Sequence, residues 1–252
     1  MSSKIGEPFE NLRIGCAGWT IPSQYADRFP VEGSHLARYA ARLRVVEVNS
    51  TFYRSHRPQT YQRWASIVPE DFRFALKMPK WITHVHRLRQ TAGLNRFLFE
   101  VSTLGSKLGP LLVQLPPSLA FEANVAAAFF RELREHYCGS VVCEPRHASW
   151  FIPQAEKLLA EYQIARVAAN PALHAAAEPA GWMGLIYYRL HGSPHMYYSA
   201  YSMEFLERLA ARLLQHLSQT PLVYCIFDNT ASGAALDNAL TLLDLLTNAT
   251  LR

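Results

Sequence analysis

The chain of 252 residues carries 25 lysines and arginines against 20 aspartates and glutamates, so its formal net charge is +5 at pH 7. Half of the residues are hydrophobic and only 18% are charged, which excludes a disordered chain and supplies enough apolar surface for a large core. No apolar run approaches the roughly 18 residues of a membrane span, and the first residues lack the apolar core of a secretion signal. We therefore expect a cytoplasmic protein without membrane partners.

Positive charge is concentrated in the first half of the chain. Residues 1–126 contain 16 basic and 9 acidic side chains, whereas residues 127–252 contain 9 basic and 11 acidic ones. Residues 54–96 alone contribute nine basic residues against two acidic ones. Such an excess is typical either of solvated helix and loop faces or of a surface that binds anions.

The four cysteines, Cys16, Cys138, Cys143 and Cys225, do not form a C-x-x-C motif. Three of them lie in runs of aromatic or β-branched residues, where a reduced cysteine packs as a small hydrophobic side chain. Neither a disulfide scaffold nor a zinc knuckle is therefore indicated.

Short apolar runs recur along the chain, and most are rich in valine, isoleucine, phenylalanine or tyrosine. They lie near residues 13, 44, 72, 111, 141, 164, 185 and 222. Runs of four to eight such residues predict strands that are buried on both faces of a sheet.

Amphipathic segments separate these runs and predict helices. Ser34 and Ser202 are candidate N-caps, Pro58 and Pro153 are candidate first-turn residues, and Asn124 precedes a further apolar stripe. The clearest stripes comprise Leu94, Phe97, Leu98 and Val101; Val125, Ala128, Phe129 and Leu133; and Leu206, Leu209, Ala210, Leu213, Leu214 and Leu217. Residues 171–179, after the sixth run, predict no regular helix.

Strand and helix patterns alternate eight times, at about 31 residues per unit, which is typical of a (β/α)8 barrel. We therefore predict an α/β fold with a single TIM-type barrel over residues 13–252, after an N-terminal arm of residues 1–12. A doubly wound open sheet is the alternative. Residues 15–18 lack the third glycine of a dinucleotide-binding turn, so no cofactor is expected.

Most predicted strands begin with apolar residues and end with polar or charged ones. Alternate residues of a barrel strand point inward, and active sites form at the carboxyl ends of the strands, so we expect these side chains to converge there. The candidate catalytic residues are Glu47, Lys77, Glu144 and His191, and the candidate binding residues at strand ends are Asn49, Gln114, Arg146, Arg189 and Asn229. The net charge of five of these residues is +1, so an anionic ligand would neutralise them; they are Glu47, Lys77, Glu144, Arg146 and Arg189.

Two long predicted loops lie at the same end of the barrel. Residues 79–93 follow the third strand and contain His84, and residues 192–202 follow the seventh strand and contain several tyrosines and a histidine. Long βα loops on a rigid barrel usually carry function, so His84 is a further candidate binding residue.

Seven motifs identify a family resemblance. The segments GCAGW, VEVNSTFYR, FALKMPKWITH, LGPLLVQLPPS, CEPRHASW, YYRLHG and FDNT, in this order and at this spacing, resemble the YecE-like family, known as domain of unknown function 72. The resemblance extends from about Arg13 to about Leu243 and implies a TIM-type barrel whose activity is unestablished.

The family pattern implies site residues beyond those found at the strand ends. It adds Trp19, Tyr53 and His147 as binding residues. Two positions depart from it, because Asn170 stands where the family usually has an aspartate and Asp228 stands where an asparagine is more usual. These departures weaken any metal-binding or acid/base role at the two positions.

The strand-end residues favour an enzyme that acts on a small polar, anionic substrate such as a sugar phosphate or a carboxylate. Lys77, Arg146 and Arg189 would bind the anion, and Glu47 and Glu144 would supply acid/base chemistry if burial separates their pKa values. A glycosidase pair of carboxylates is one form of this hypothesis. A Schiff base on Lys77 is another, which we expect to be disfavoured because nearby carboxylates would keep the amine charged.

Two other function classes stay open. A metal-dependent hydrolase or isomerase would use Glu47, Glu144 and His191, with His84 or Asp228, but neighbouring cations oppose it and no H-E-x-x-H motif is present. A nucleic-acid-binding protein would use the basic residues 54–96 with Trp64 and Trp81, although Trp64 falls on the apolar stripe of a helix. The sequence does not indicate an oligomeric state.

A purely structural explanation also exists, in which the strand-end charges form an internal salt-bridge network. If they form a ligand site instead, Lys77→Ala, Arg189→Ala and Glu144→Gln are expected to leave the fold intact. Loss of stability in all three variants would favour the structural network.

Overall fold

The computed structural model describes residues 9–172 and 178–250, and these form one ten-stranded sheet surrounded by helices. The strands are β1 (Leu12–Ala17), β2 (Val45–Val48), β3 (Arg73–Lys77), β4 (Leu108–Gln114), β5 (Val141–Glu144), β6 (Ile164–Arg166), β7 (Ala168–Asn170), β8 (Ala180–Gly181), β9 (Ile186–Leu190) and β10 (Val223–Phe227). All of them pair in parallel except β8, which pairs antiparallel with β6.

Pairing on both sides of the sixth strand closes the sheet into a barrel. The predicted sixth strand is divided at Val167 into β6, which pairs with β5, and β7, which pairs with β9. Around the rest of the ring, β9 pairs with β10, β10 with β1, and the order then follows the sequence to β5. The eight predicted strands are all present, and the TIM-type barrel is confirmed.

Helices follow the barrel strands and cover their outer faces. They are α1 (His35–Ala40), α2 (Ser50–Tyr53), α3 (Pro58–Ile67), α4 (Leu94–Ser102), α5 (Ala123–His136), α6 (Pro153–Glu161), α7 (Met203–Leu217) and α8 (Ala234–Thr250). No helix in the described part of the chain is both long enough and apolar enough to cross a membrane.

Most of the predicted helix starts are confirmed. The Ser34 hydroxyl accepts a hydrogen bond from the Ala37 amide at 3.2 Å, and the Ser202 hydroxyl accepts one from the Phe205 amide at 3.3 Å. The predicted stripe on α5 (Ala123–His136) is wrong in part, because Ala128 is exposed. The stripe on α5 shifts accordingly and buries Ala126, Phe129, Phe130 and Leu133.

The period-2 alternation of the strands separates two cores. One set of strand residues packs inside the barrel, and it comprises Val45, Ala75, Leu112, Val142, Ala165, Val167, Leu185, Tyr187, Tyr224 and Ile226. The alternate residues pack against the helices in the larger outer core. Continuing the inner alternation toward the carboxyl ends brings Glu47, Lys77, Gln114, Glu144 and Arg189 to the mouth of the barrel.

Candidate active site

Arg189, on β9, lies at the centre of the charged cluster at the barrel mouth. Its Nε is 3.1 Å from both carboxylate oxygens of Glu47, and its Nη2 is 2.7 Å from Glu47 Oε1. Its Nη1 donates to Glu144 Oε2 at 2.9 Å, and Nη2 also lies 2.9 Å from Asp228 Oδ2. One guanidinium therefore contacts three carboxylates contributed by three different strands or strand ends.

Because Arg189 and Glu47 are buried, each of the two charges requires an oppositely charged partner. Arg189 is 1% exposed and Glu47 is fully buried, so neither charge could remain without its partner. The hydroxyl of Tyr187, from the same strand as Arg189, donates to Glu47 Oε2 at 2.8 Å and completes the hydrogen bonding of that carboxylate. The Glu47 carboxylate is thus held by Tyr187 and Arg189 in the floor of the site.

His191 links the other two carboxylates. Its Nδ1 lies 3.0 Å from Asp228 Oδ2 and its Nε2 lies 3.0 Å from Glu144 Oε1. Burial disfavours the charged imidazole, but the negative charge of Glu144 and the hydrogen bonds to both carboxylates outweigh it and raise the pKa of His191. The geometry therefore favours an imidazolium between the two acids.

Arg146 and Tyr197 border the cluster on the side of the β9 loop. Arg146 donates through Nε and Nη2 to Glu144 Oε1, at 3.1 and 2.9 Å, and its Nη1 lies 3.3 Å from the Tyr197 hydroxyl. The Tyr197 ring packs edge-on against the His191 ring, with a centroid distance of 5.7 Å. This loop thus forms one wall of the site.

The carboxylates of Glu144 and Asp228 are held in the ionised form. Burial alone would raise the pKa of the Glu144 carboxyl, yet the charges of Arg189, His191 and Arg146 hold it well below its usual value. The pKa of Asp228 is lowered too, since Arg189 and His191 outweigh its burial. A carboxylate with these partners is a poor proton donor, so the expected acid/base role of Glu144 receives no support from the geometry.

Lys77 differs from the other charges at the mouth. In the described chain, no carboxylate oxygen lies within salt-bridge distance of its Nζ, which instead lies 4.2 Å from the centre of the Phe52 ring. Burial, followed by the charge of Arg189, lowers the pKa of Lys77 to about 8. The charges of Glu47, Glu144 and Asp228 oppose this shift only in part, because these acids are already paired with Arg189, Arg146 and His191, and the amine stays mostly protonated at pH 7.

His84 lies beside Lys77 on the same aromatic ring. Its imidazole packs edge-on against Phe52 with a centroid distance of 4.8 Å, and its Nδ1 is 2.8 Å from the Thr83 hydroxyl. Burial and the charges of Lys77, Lys80 and Arg146 lower the pKa of His84 to about 4. The ring is therefore neutral at physiological pH and able to accept a proton.

Asn49 and Gln114 are the two amide side chains predicted to bind a ligand at the barrel mouth. Asn49 Nδ2 is 3.5 Å from Asp228 Oδ1, while Asn49 Oδ1 is buried without a hydrogen-bond partner within the described chain. Gln114 ends β4 in register with Glu144 and is 8% exposed. Both lie where the sequence predicts binding residues.

The structure corrects the placement of two predicted binding residues. Arg189 was expected to bind the ligand, but its donors are engaged by Glu47, Glu144 and Asp228. It therefore joins the three buried carboxylates below the ligand site. Asn229 was expected to hold a substrate hydroxyl, but it is fully buried and its Nδ2 donates to the Ser199 carbonyl and to Asn238 Oδ1. It fixes the β9 loop to α8.

Two of the three residues implied by the family pattern make contacts within the protein, and the third is exposed. Trp19 packs edge-on against Trp64, with a centroid distance of 5.2 Å. His147 Nδ1 accepts a hydrogen bond from the Ser149 amide and thereby begins the short helical turn at residues 148–150. Tyr53 ends α2 with its side chain 79% exposed, and a binding role for it stays a prediction.

The period-2 alternation in the sequence is enough to predict that Asp228 and Tyr187 face the cluster, but it does not predict the position of Tyr197. Asp228 continues the inward series of Tyr224 and Ile226, and Tyr187 lies two residues before Arg189 on the same inner face. Tyr197 reaches Arg146 only because its own backbone adopts a φ of 71°, which no local sequence pattern predicts.

Asn170 does not face this cluster. It ends β7 beside the outward-facing Leu190, and its side chain lines a cavity of ≈ 210 Å³ between the barrel and α7. Its backbone carbonyl accepts hydrogen bonds from the His191 amide at 2.7 Å and from the Tyr201 hydroxyl at 2.9 Å. The missing acid at this position therefore leaves the mouth of the barrel unchanged.

The metal and nucleic-acid hypotheses gain little from the geometry. Among the described residues, no group of three or more histidine, cysteine or acidic side chains is arranged to hold a metal ion. In the basic stretch, Arg87 binds Ser118, Arg89 pairs with Glu122 and Arg96 pairs with Glu100, all within the chain. Trp64 is 8% exposed and belongs to the core, as its position on the helix predicts.

Comparisons with known proteins agree on one family. The family model described as "Protein of unknown function DUF72" matches residues 13–252. The UPF0759 protein YecE of Escherichia coli K12 is 37% identical over 106 residues, which cover 42% of this chain and 38% of that protein. The UPF0759 protein YunF of Bacillus subtilis is 23% identical over 93% of this chain and 94% of its own.

Solved structures show the same fold. A DUF72 family protein from Thermotoga maritima is similar with a TM-score of 0.77 and 23% identity, covering 94% of this chain and 99% of that one. A DUF72 family protein from Enterococcus faecalis has a TM-score of 0.76 and 20% identity, over 94% and 95% of the two chains. The chain belongs to the DUF72 family of proteins of unknown function.

Proposed function

We propose that this protein is an enzyme that binds a small polar, anionic substrate at the mouth of the barrel. The single observation that carries the proposal is the position of Lys77, an amine at the carboxyl end of a barrel strand with no acidic partner in the described part of the chain. Active sites of TIM barrels lie at this end.

The balance of charge supports an anion as the ligand. With His191 protonated, the three cations Arg189, Arg146 and His191 match the three carboxylates of Glu47, Glu144 and Asp228. The ammonium of Lys77 is then surplus and gives the cluster a charge of +1. A phosphate or carboxylate group near Lys77 and Arg146 would neutralise it.

The neighbouring polar groups suit the rest of such a substrate. Asn49 Oδ1 is a buried acceptor without a hydrogen-bond donor in the described chain, and a substrate hydroxyl would supply one. The neutral ring of His84 contacts the same Phe52 ring as Lys77 and offers a site for proton transfer. The proposed reaction therefore uses Lys77 and His84, with Arg146, Asn49 and Gln114 binding the substrate.

Thermal denaturation tests the anion site directly. The melting temperature of the full chain would be measured with inorganic phosphate, phosphoglycolate, pyruvate and a neutral polyol of similar size. We expect an increase with at least one anion and none with the polyol, because only the anion neutralises Lys77. The increase should be lost in Lys77→Ala and retained in Lys80→Ala, which removes an exposed lysine three residues away.

The outcome against the proposal is equally definite. Equal stabilisation of the Lys77→Ala and Lys80→Ala variants by every anion would place the binding elsewhere. Binding of RNA or DNA that persists at physiological salt and resists the Lys77 substitution would favour the basic residues 54–96 as the functional surface.

A further inference from the structure

We infer that Lys77 is a reactive amine that forms a Schiff base with the carbonyl carbon of a small oxo acid or an anionic sugar aldehyde or ketone. The inference rests on the proposed function, since it requires an anionic substrate at the barrel mouth. It goes further by naming the group that reacts and the class of compound that reacts with it.

The Lys77 backbone is held rigidly where a reacting group is needed. Lys77 is the last residue of β3 and pairs in register with Leu112 on β4. Its carbonyl oxygen accepts a hydrogen bond from the Thr51 hydroxyl at 2.7 Å, which ties the strand end to α2. A nucleophile on a fixed strand end can be aimed at a bound substrate without ordering a loop first.

The environment of Nζ suits a nucleophile better than an ion pair. A lysine that is locked to a carboxylate stays protonated, but the carboxylates of Glu47, Glu144 and Asp228 are already engaged by Arg189, and no acid in the described chain reaches Nζ. Nζ lies over the face of the Phe52 ring, 4.2 Å from its centre, on a side chain that is only partly exposed. Desolvation in an apolar setting beside another cation is a standard means of activating a lysine.

The charges around Nζ leave a usable fraction of free amine. Burial and Arg189 lower the pKa of Lys77 to about 8, against the opposing charges of Glu47, Glu144 and Asp228. About a tenth of the amine is therefore unprotonated at pH 7, compared with less than about a thousandth for an ordinary lysine.

His84 provides the proton transfer that imine formation requires. Its ring contacts the same Phe52 ring as Lys77, and it is neutral because burial and the surrounding cations lower its pKa to about 4. The Thr83 hydroxyl at Nδ1 orients the ring. A neutral imidazole can carry a proton from the nitrogen that has added to the carbonyl carbon to the oxygen of the same adduct.

The reaction balances without any further reactant. The ammonium of Lys77 releases one proton to solvent, and the free amine adds to the carbonyl carbon as the carbonyl π bond opens onto oxygen. A second proton passes through His84 from nitrogen to that oxygen, and one proton taken up from solvent then allows the oxygen to leave as water. Lysine ammonium and carbonyl compound thus become protonated imine and water.

The net charge of the site is the same before and after imine formation. The nitrogen carries one positive charge as the ammonium and again as the protonated imine, so the surplus charge of the site is the same before and after. An acid group of the substrate would remain next to this charge and to Arg146, whose Nη1 lies beside the Tyr197 hydroxyl at 3.3 Å. The protonated imine withdraws electrons and would stabilise a carbanion at the adjacent carbon of the substrate.

Reductive trapping tests the inference on the full chain. The protein would be incubated with glyoxylate, and separately with pyruvate, in the presence of sodium cyanoborohydride, and the modified lysine would be identified by peptide mass mapping. We expect labelling of Lys77 to exceed that of the exposed Lys80 by more than about tenfold at pH 7. The rate at Lys77 should rise with pH and level off above about pH 8.

Three variants make the test specific. Lys77→Arg keeps the positive charge and should abolish the label, whereas Lys80→Arg should leave it unchanged. His84→Gln should slow labelling while retaining the anion-dependent rise in melting temperature. Equal labelling of Lys77 and Lys80, or none at Lys77, would overturn the inference.

The result also separates this inference from the proposed function. Anion binding that depends on Lys77 without any trapped adduct would reject the Schiff base and keep the anion site. Absence of both anion binding and labelling would reject the two together.

Discussion

Arg189 and Glu47 form a buried side-on ion pair in which both Nε and Nη2 of the guanidinium donate to the carboxylate, with an Nη2 to Oε1 distance of 2.7 Å. The two residues come from β9 and β2, which do not pair with each other and are separated in the ring by β10 and β1. Their contact therefore crosses the barrel interior. It shows that part of the charge at the mouth serves the architecture and only part is available to a ligand.

Replacing Arg189 should lower the free energy of unfolding substantially. Arg189→Met leaves Glu47, Glu144 and Asp228 without their shared cation, and removal of one partner from a buried ion pair typically costs about 3–5 kcal/mol. We expect a loss of that size in the free energy of unfolding, measured by urea denaturation. This reverses the expectation from the sequence that Arg189→Ala leaves the fold intact.

A surface arginine provides the control for this experiment. Arg208 pairs with Glu204 one turn earlier on α7, with both side chains exposed, so Arg208→Met should cost less than about 1 kcal/mol. A similar small cost for Arg189→Met would mean that the three carboxylates are relieved in some other way, for example by taking up protons.

The alternation of the strands made much of the site predictable. Glu47, Lys77, Glu144 and Arg189 all lie on the inner face at the carboxyl ends, as period 2 and the barrel geometry require. Which of them pair could not be derived in the same way, since it depends on which side chains meet across the closed barrel. The sequence therefore located the cluster but assigned Arg189 to the ligand.

Residues beyond the strand ends were harder to place. Asp228 and Asn229 follow β10 on opposite faces, and only Asp228 continues the inward series. Asn229 consequently turns toward Ser199 and Asn238, and its amide nitrogen is engaged within the protein. Tyr197 and the division of the sixth strand at Val167 depend on loop conformation and on strand pairing, which local patterns do not encode.

The cluster should stabilise the folded protein most within a limited pH range, and less at both lower and higher pH. The raised pKa of His191 adds stability that is complete below its ordinary value of 6.5 and is lost as the pH rises through the higher folded value. The lowered pKa values of Glu144 and Asp228 add stability that is present above about pH 4.5 and is lost as the pH falls. The contribution of the cluster is therefore greatest between about pH 4.5 and 6.5.

Urea denaturation between about pH 3 and 8 tests this dependence. His191→Gln should be less stable at pH 6 and should lose the decline in unfolding free energy on the alkaline side. His136→Gln, at an exposed position on α5, should retain the wild-type profile. A wild-type decline in the His191 variant would mean that another group is responsible for it.

Asp228 should set the protonation of His191. Asp228→Asn weakens the 3.0 Å hydrogen bond at Nδ1, which raises the imidazole pKa in the wild type together with the charge of Glu144, and leaves the repulsion from Arg189. We expect the His191 pKa to fall, as followed by NMR titration of the ring protons. Asp244 is an exposed residue of α8 that pairs with Arg28, and Asp244→Asn should leave the His191 pKa unchanged. An unchanged His191 pKa in Asp228→Asn would assign the shift to Glu144 alone.

Lys77 should reduce the stability of the protein while serving its function. Its pKa is lowered from 10.5 to about 8, so below pH 8 the folded state holds a charge that the unfolded state solvates better. Lys77→Met removes that charge and keeps a flexible apolar side chain against Phe52, and we expect it to raise the melting temperature at pH 7. The advantage of the variant should shrink between about pH 8 and 10.5, where wild-type Lys77 becomes neutral on folding. Lys80→Met, three residues away and exposed, should change the melting temperature little at any pH. A destabilised Lys77→Met protein would show instead that the ammonium makes a net favourable contribution to the fold, and Lys77 would then belong with Arg189 in the structural network.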